Sequence, residues 1–234
     1  MDSAQRRLGH AWLVAIALTM AMALPTAHAA DRPFLSTTTA VAEEDDDNVW
    51  SVEAWLVAGR AGSRQVLAAE YAFNSTTSIQ LETSRVRLGP GEHATVTELE
   101  LRHLFNHIAR DGWGWGVTLA AERSSAGQHG VSIGMPLSLK LDAVDGFVHV
   151  NAGVAKEAGE RRIGFGAIGY EQAMGRGLRA FAELARADNT TTAHAGIRHW
   201  IKRDRIAFDV GVLKIRGESG AALVLGFGFY DLGP

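Results

Sequence analysis

Val131-Ser132-Ile133-Gly134-Met135-Pro136-Leu137-Ser138-Leu139-Lys140-Leu141-Asp142 decides how the chain reads. Val131, Ile133, Met135, Leu137, Leu139 and Leu141 take every second position, and small, polar or charged residues fill the rest. A period of two belongs to an extended strand, whose side chains point alternately to its two faces. One face here is wholly apolar. The same pattern sets Leu99, Leu101 and Phe105 against Glu98, Glu100 and Arg102, and Ile79 and Leu81 against Gln80, Glu82 and Ser84. Near the C-terminus Leu223, Leu225, Phe227 and Phe229 alternate with Val224, Gly226 and Gly228.

Working outward from these stretches predicts twelve strands, at 49–58, 64–73, 77–86, 94–106, 113–123, 130–141, 147–156, 161–171, 177–187, 191–200, 205–215 and 221–231. Turn chemistry separates them, as at Asn74-Ser75, Gly89-Pro90-Gly91, Asp111-Gly112, Asp145-Gly146 and Asp188-Asn189. Each strand is close to the roughly nine to eleven residues that a tilted strand needs to cross a bilayer's hydrocarbon. An even count returns both chain ends to one side. Only Pro136 falls inside a strand, as expected of a sheet with no free edge, and it is expected to mark a bulge or the barrel mouth.

The rest of the chain divides simply. Residues 1–30 read as a signal peptide: Arg6 and Arg7 precede an uncharged run from Ala11 to Leu24, and Ala27-His28-Ala29 follows as a cleavage pattern. Residues 31–48 form a polar arm that ends in Glu43-Glu44-Asp45-Asp46-Asp47, read as a solvated acidic cluster. Residues 49–232 are the β-barrel. Without the leader the chain carries 21 Lys and Arg against 25 Asp and Glu, a balance that excludes a general nucleic-acid binder. The absence of cysteine removes disulfides and thiolate metal sites. No apolar run after the leader reaches the 18 residues of a helical span.

Alternation alone fits a soluble sandwich as well as a barrel, because it does not say which face is inside. Charge on the less apolar face decides for inside-out packing, since an Arg or Lys against lipid costs roughly 2–4 kcal/mol at mid-depth. Glu98, Glu100, Arg102, Lys140, Arg179, Glu183 and Arg198 are therefore the candidate lumen residues, and Glu53, Glu70, Glu82 and Asp209 share their face. Strand glycines, including Gly114, Gly116, Gly134, Gly153, Gly164, Gly166, Gly211, Gly226 and Gly228, are placed there too, to relieve crowding in a closed interior. Trp50, Phe73, Phe105, Trp113, Phe147, Tyr170, Trp200, Phe229 and Tyr230 are expected in one rim belt. Twelve strands suit a narrow, polar, partly obstructed pore.

Other chemistry finds little support. His103 and His107 are four apart, a helical metal spacing that fails to converge on a strand. His149 and Asn151 share a strand face and would need a serine across the lumen to act as a hydrolytic set. No metal, cofactor or catalytic residue is assigned.

Arg32-Pro33-Phe34, Glu53, the run Thr97 to Phe105 and the opening Gly112-Trp113-Gly114-Trp115-Gly116 resemble proteobacterial outer-membrane barrels grouped with the phenol-degradation MetA-pathway family. The resemblance implies an all-β, closed up-and-down antiparallel transmembrane barrel with a transporter-like role. It carries no catalytic residues over. Many such barrels finish on an aromatic, whereas this chain continues past Tyr230 to Pro234. The expectation is an exported outer-membrane protein that meets membrane lipid and the barrel-assembly machinery and acts as a narrow channel or passive transporter for a small solute. The alternatives are a soluble periplasmic β-sandwich binding protein and a barrel enzyme acting on envelope lipids.

Overall fold

A computed structural model describes residues 45–60, 62–89, 92–158 and 160–233, so the leader and most of the arm lie outside the described residues. The strands are β1 (Val49–Gly59), β2 (Gly62–Asn74), β3 (Thr77–Gly89), β4 (Glu92–Leu104), β5 (Trp113–Ser124) and β6 (His129–Leu141), followed by β7 (Gly146–Glu157), β8 (Arg162–Gly175), β9 (Leu178–Ala187), β10 (Thr190–Lys202), β11 (Ile206–Ile215) and β12 (Ala222–Leu232). Each pairs antiparallel with its neighbours in sequence, and β12 returns to β1 to close a single barrel. The seam runs from Trp50↔Leu232 to Ala58↔Leu223, with a register shift between Trp50 and Val52. Among the described residues no sheet edge is left open, and no second sheet packs against this one. The sandwich alternative is thereby excluded.

Alternation is turned inside out. Leu81, Leu99, Leu119, Ile133, Ile168 and Leu184 point outward and are exposed, whereas Glu53, Glu82, Glu100, Arg102, Arg198 and Asp209 point inward and are buried. The inward face also holds small residues such as Ala68, Ala185 and Ala207, which make room for charged side chains and for inward rings such as Trp55 and Phe181.

The start of β1 at Val49 and the end of β12 at Leu232 lie at one rim, here called the terminal rim; the turn after β1 and every second turn beyond it lie at the far rim. The longest connection follows β4. There the expected strand 94–106 stops at Leu104, and one helical turn, α1 (Ile108–Asp111), is closed by Gly112 at φ 74°, a left-handed conformation that favours glycine. Ile108 is buried and anchors this turn at the mouth. The Arg110 guanidinium beside Asp111 holds its carboxyl down at about 2.

Three local expectations need correction. Pro136 marks neither a bulge nor the mouth: it sits within β6 opposite Asn151, and the β5–β6 register is the same on either side of it, Trp115↔Leu137 before and Thr118↔Gly134 after. What the missing N–H interrupts is the pairing between those two points. Gly164 and Gly166 face outward, because β8 places Phe165, Ala167 and Gly169 on the inward face. Of the rim aromatics, Trp50, Phe73, Phe105, Trp113, Tyr170 and Phe229 do lie exposed on the outside, but Phe147, Trp200 and Tyr230 turn inward by strand parity.

A Leu99→Arg substitution, midway along β4 on the outward face where Leu99 is 49% exposed, distinguishes this architecture from a soluble sheet. On a soluble protein an exposed Leu→Arg change is nearly neutral. Against hydrocarbon we expect a loss of roughly 2–4 kcal/mol in folding free energy, read from equilibrium unfolding out of lipid vesicles.

Candidate functional site in the barrel interior

Inward charge is organised into separate networks, each joining strands that register brings level. The most extensive crosses the seam. Arg198 on β10 lies opposite Asp209 on β11 and donates Nε and Nη2 to the two carboxylate oxygens, both at 2.8 Å. Its Nη2 also donates to the Tyr230 hydroxyl at 2.8 Å, and that hydroxyl donates to Glu53 Oε1 on β1 at 2.8 Å. The guanidinium sits 5.3 Å from the Trp200 ring centroid and 5.2 Å from that of Tyr230. Arg198 is 0% exposed. Bidentate pairing and ring stacking are what the planar guanidinium allows and an ammonium does not.

A second network holds Arg102 on β4. Its Nε donates to Ser78 Oγ at 3.2 Å and Nη2 to Glu70 Oε1 at 3.2 Å, and the same nitrogen pairs with Asp45. Asp45 belongs to the acidic arm, and so does Asp47, which accepts a hydrogen bond from the Ser75 N–H at 2.6 Å. The end of the arm is therefore engaged by the barrel instead of solvated throughout. Nearby, Arg64 Nη2 pairs with Glu82 Oε1 at 2.8 Å.

A third network places Ser138, His149 and Glu171 in a row on β6, β7 and β8. Ser138 Oγ is 2.8 Å from His149 Nδ1, and His149 Nε2 is 3.2 Å from Glu171 Oε1. Arg179 completes it, with Nε 3.6 Å from Glu171 Oε2 and its guanidinium 5.8 Å from the Phe147 centroid. The order serine, histidine, carboxylate is that of a hydrolase, and His149 does meet a serine. Ser138, however, is 0% exposed, and a nucleophile acts only where a substrate carbonyl can reach it. The row is a buried polar relay in which Ser138, His149 and Glu171 bond one another.

The remaining candidates differ in kind. Glu98 and Glu100 are buried on β4 and make no side-chain hydrogen bond among the described residues. Register sets Glu82, Glu98 and Glu122 side by side on β3, β4 and β5, and the same row reaches Glu157 through Gly130. Glu98, Glu122 and Glu157 line one cavity with Ser132. Glu183 is buried opposite His194. Lys140 takes an inward position at the terminal rim, but it is exposed and pairs with Asp142 at 3.1 Å, so it belongs to the mouth. There it borders a cavity of about 530 Å³ with Asp45, Asp46, His107, Arg110 and Phe147. His103 instead bonds Thr77 Oγ1 at 2.9 Å and does not converge with His107. Among the described residues no three metal-ligating side chains come together.

Sequence parity identified the inward charges but not their partners. Sequence parity does not reveal Arg64, Glu171 and Tyr230 as network members, which needs cross-strand register, nor Asp45, which lies before β1 and carries no register signal.

With this geometry the chain can be compared with solved structures. The KdgM porin, solved in complex with disordered oligogalacturonate, superposes with a TM-score of 0.64 at 10% identity over 76% of this chain and 98% of the porin. The NanC porin gives 0.60 at 9% identity over 78% of this chain and 98% of its own. The outer-membrane protein Omp33 of Acinetobacter baumannii gives 0.56 at 6% identity over 79% and 98%. The fold is that of a porin-like outer-membrane barrel. No family profile matches the sequence, and no curated protein does.

Arg198→Ala would leave Asp209 and Glu53 buried without their cation. We expect a loss of about 3–5 kcal/mol, seen as a lower temperature for the conversion between folded and unfolded bands in heat-modifiable gel migration. Arg198→Lys keeps the charge but loses the bidentate contact and should fall between the two.

Proposed function

We propose that the chain is an exported outer-membrane barrel serving as a narrow channel or passive transporter for small solutes. One observation carries this reading: ionisable side chains are gathered in an enclosed interior while leucine, isoleucine and valine cover the outside. Such a surface is stable only where hydrocarbon surrounds it, and a polar interior crossing that layer is what a hydrophilic solute requires. The likeness to the KdgM, NanC and Omp33 folds supports the membrane reading.

In this proposal residues 1–30 direct export and are removed, 31–48 form the arm, and 49–232 form the wall, inserted by the barrel-assembly machinery into outer-membrane lipid. The role fits the transporter-like barrels of the phenol-degradation MetA-pathway group, which the sequence resembles. Twelve strands enclose less space than the sixteen to eighteen of an open aqueous porin, and the buried networks narrow it further. Glu98, Glu100, Arg102, Arg179, Glu183 and Arg198 are its proposed lumen residues, with Lys140 at the mouth. The cations among the first six already face carboxylates: Arg198 faces Asp209, Arg102 faces Asp45 and Glu70, and Arg179 faces Glu171. Glu98, Glu100, Glu122 and Glu157 gather acidic groups on the wall of β4, β5 and β7, and those that ionise favour cations over anions.

No activity is assigned to the Ser138–His149–Glu171 row, because its serine is sealed.

Planar-bilayer recording of the refolded full-length protein tests the reading. We expect small unitary conductance in potassium chloride, with a reversal potential displaced toward potassium in a salt gradient. Charge reversal at Arg102 should raise the cation preference severalfold. Absence of conductance, or recovery of the protein in the periplasmic extract instead of the outer-membrane fraction, would overturn the proposal.

A further inference from the structure

The outward face carries its own charge pattern, concentrated at one end. Toward the far rim, Arg85 and Arg87 on β3, Arg123 on β5, Lys156 on β7, Arg162 on β8, Arg186 on β9 and Lys214 on β11 all take outward positions and are exposed. No outward position in the far half of any strand holds a carboxylate. At the terminal rim the corresponding positions hold aromatics, among them Trp50, Phe73, Phe105, Trp113 and Phe229. On the strands at that end the one outward Lys or Arg among the described residues is Lys202, which closes β10, and in the turns Arg110 lies beside Asp111 and Arg203 beside Asp204.

Register sharpens the pattern. Lys156 and Arg162 are direct cross-strand partners, an arrangement of like charges that costs stability unless an anion lies between them. Arg123 lies opposite His129 and Arg87 opposite His93, so none of these three cross-strand pairs contains a carboxylate. Immediately toward the barrel's waist on the same outward face come Val131, Ile133, Val154 and Ile168, all exposed and apolar. A ligand for this region must therefore be anionic at one end and hydrocarbon at the other.

We propose that the far rim docks the phosphate headgroups of anionic lipid, held between Lys156, Arg162 and Arg123 and along Arg85 and Arg87, with acyl chains lying over Ile133, Val154 and Ile168. The inference rests on the membrane reading above. It adds a leaflet preference: the far rim belongs to the more anionic surface, and the aromatic rim to the other. Free phosphate meets the same cations but gains nothing from the apolar band below them.

Native mass spectrometry of the detergent-solubilised full chain tests this with three probes: phosphatidic acid, zwitterionic phosphatidylcholine, and inorganic phosphate. We expect retained phosphatidic acid adducts, weak phosphatidylcholine adducts and no retention of inorganic phosphate. Lys156→Gln with Arg162→Gln should weaken phosphatidic acid retention roughly tenfold, and Arg85→Gln with Arg87→Gln should act in the same direction. Heat-modifiable migration shows that each variant is folded, and two separate pairs keep the test decisive if one fails to fold. Equal retention of phosphatidylcholine, unchanged phosphatidic acid binding in the folded variants, or equal binding of inorganic phosphate would overturn the proposal. Loss of conductance in the bilayer recording would instead strike the channel reading and leave this result standing.

Discussion

Pairing of β12 with β1 is the constraint from which the rest follows. A sheet rolled shut has no edge to hydrate and no route by which an inward side chain can escape to solvent through the wall. An arginine placed inside must then find its partner inside. The seam meets this requirement directly: Arg198, Asp209, Tyr230 and Glu53 link β10, β11, β12 and β1 through hydrogen bonds of 2.8 Å. Sequence separation between Tyr230 and Glu53 is 177 residues, so closure and charge neutralisation are one event at this point. The Arg102 and Glu171 networks apply the same rule elsewhere on the wall.

Volume is the second requirement. Several large side chains lie in the interior where glycine makes room. The Phe165 ring covers Gly153, Phe181 covers Gly196, and the Tyr230 ring covers Gly228, each at a position where a Cβ would collide with the ring. Small residues are thus part of the same design as the charges, because they let long side chains lie across the lumen and meet. The narrowness that the proposed function invokes comes from this filling as much as from strand number.

Much of the fold was legible in the sequence because a period of two records which face each residue takes, and turn residues record where strands end. The expected strands agree with the observed ones to within a few residues, and the inward placement of Glu98, Glu100, Arg102, Arg179, Glu183 and Arg198 follows from parity alone. What parity cannot encode is who faces whom across the barrel. Phe147, Trp200 and Tyr230 sit near strand ends as belt residues would, but their parity turns them inward, where they cover Arg179 or Arg198. Gly164 and Gly166 were assigned to the wrong face for the complementary reason, since a glycine shows no polarity to betray its side. Helix α1 was hidden because one turn of four residues is too short for a helical period.

The placement of Tyr230 also bears on how the molecule is made. Because β12 supplies both the last ladder of the cylinder and the phenol that ties Arg198 to Glu53, a nascent copy lacking its final ten residues would have two raw borders and a stranded guanidinium. Such a product is left sticky and open to proteolysis, so the architecture discriminates between finished and unfinished polypeptides without any separate inspector.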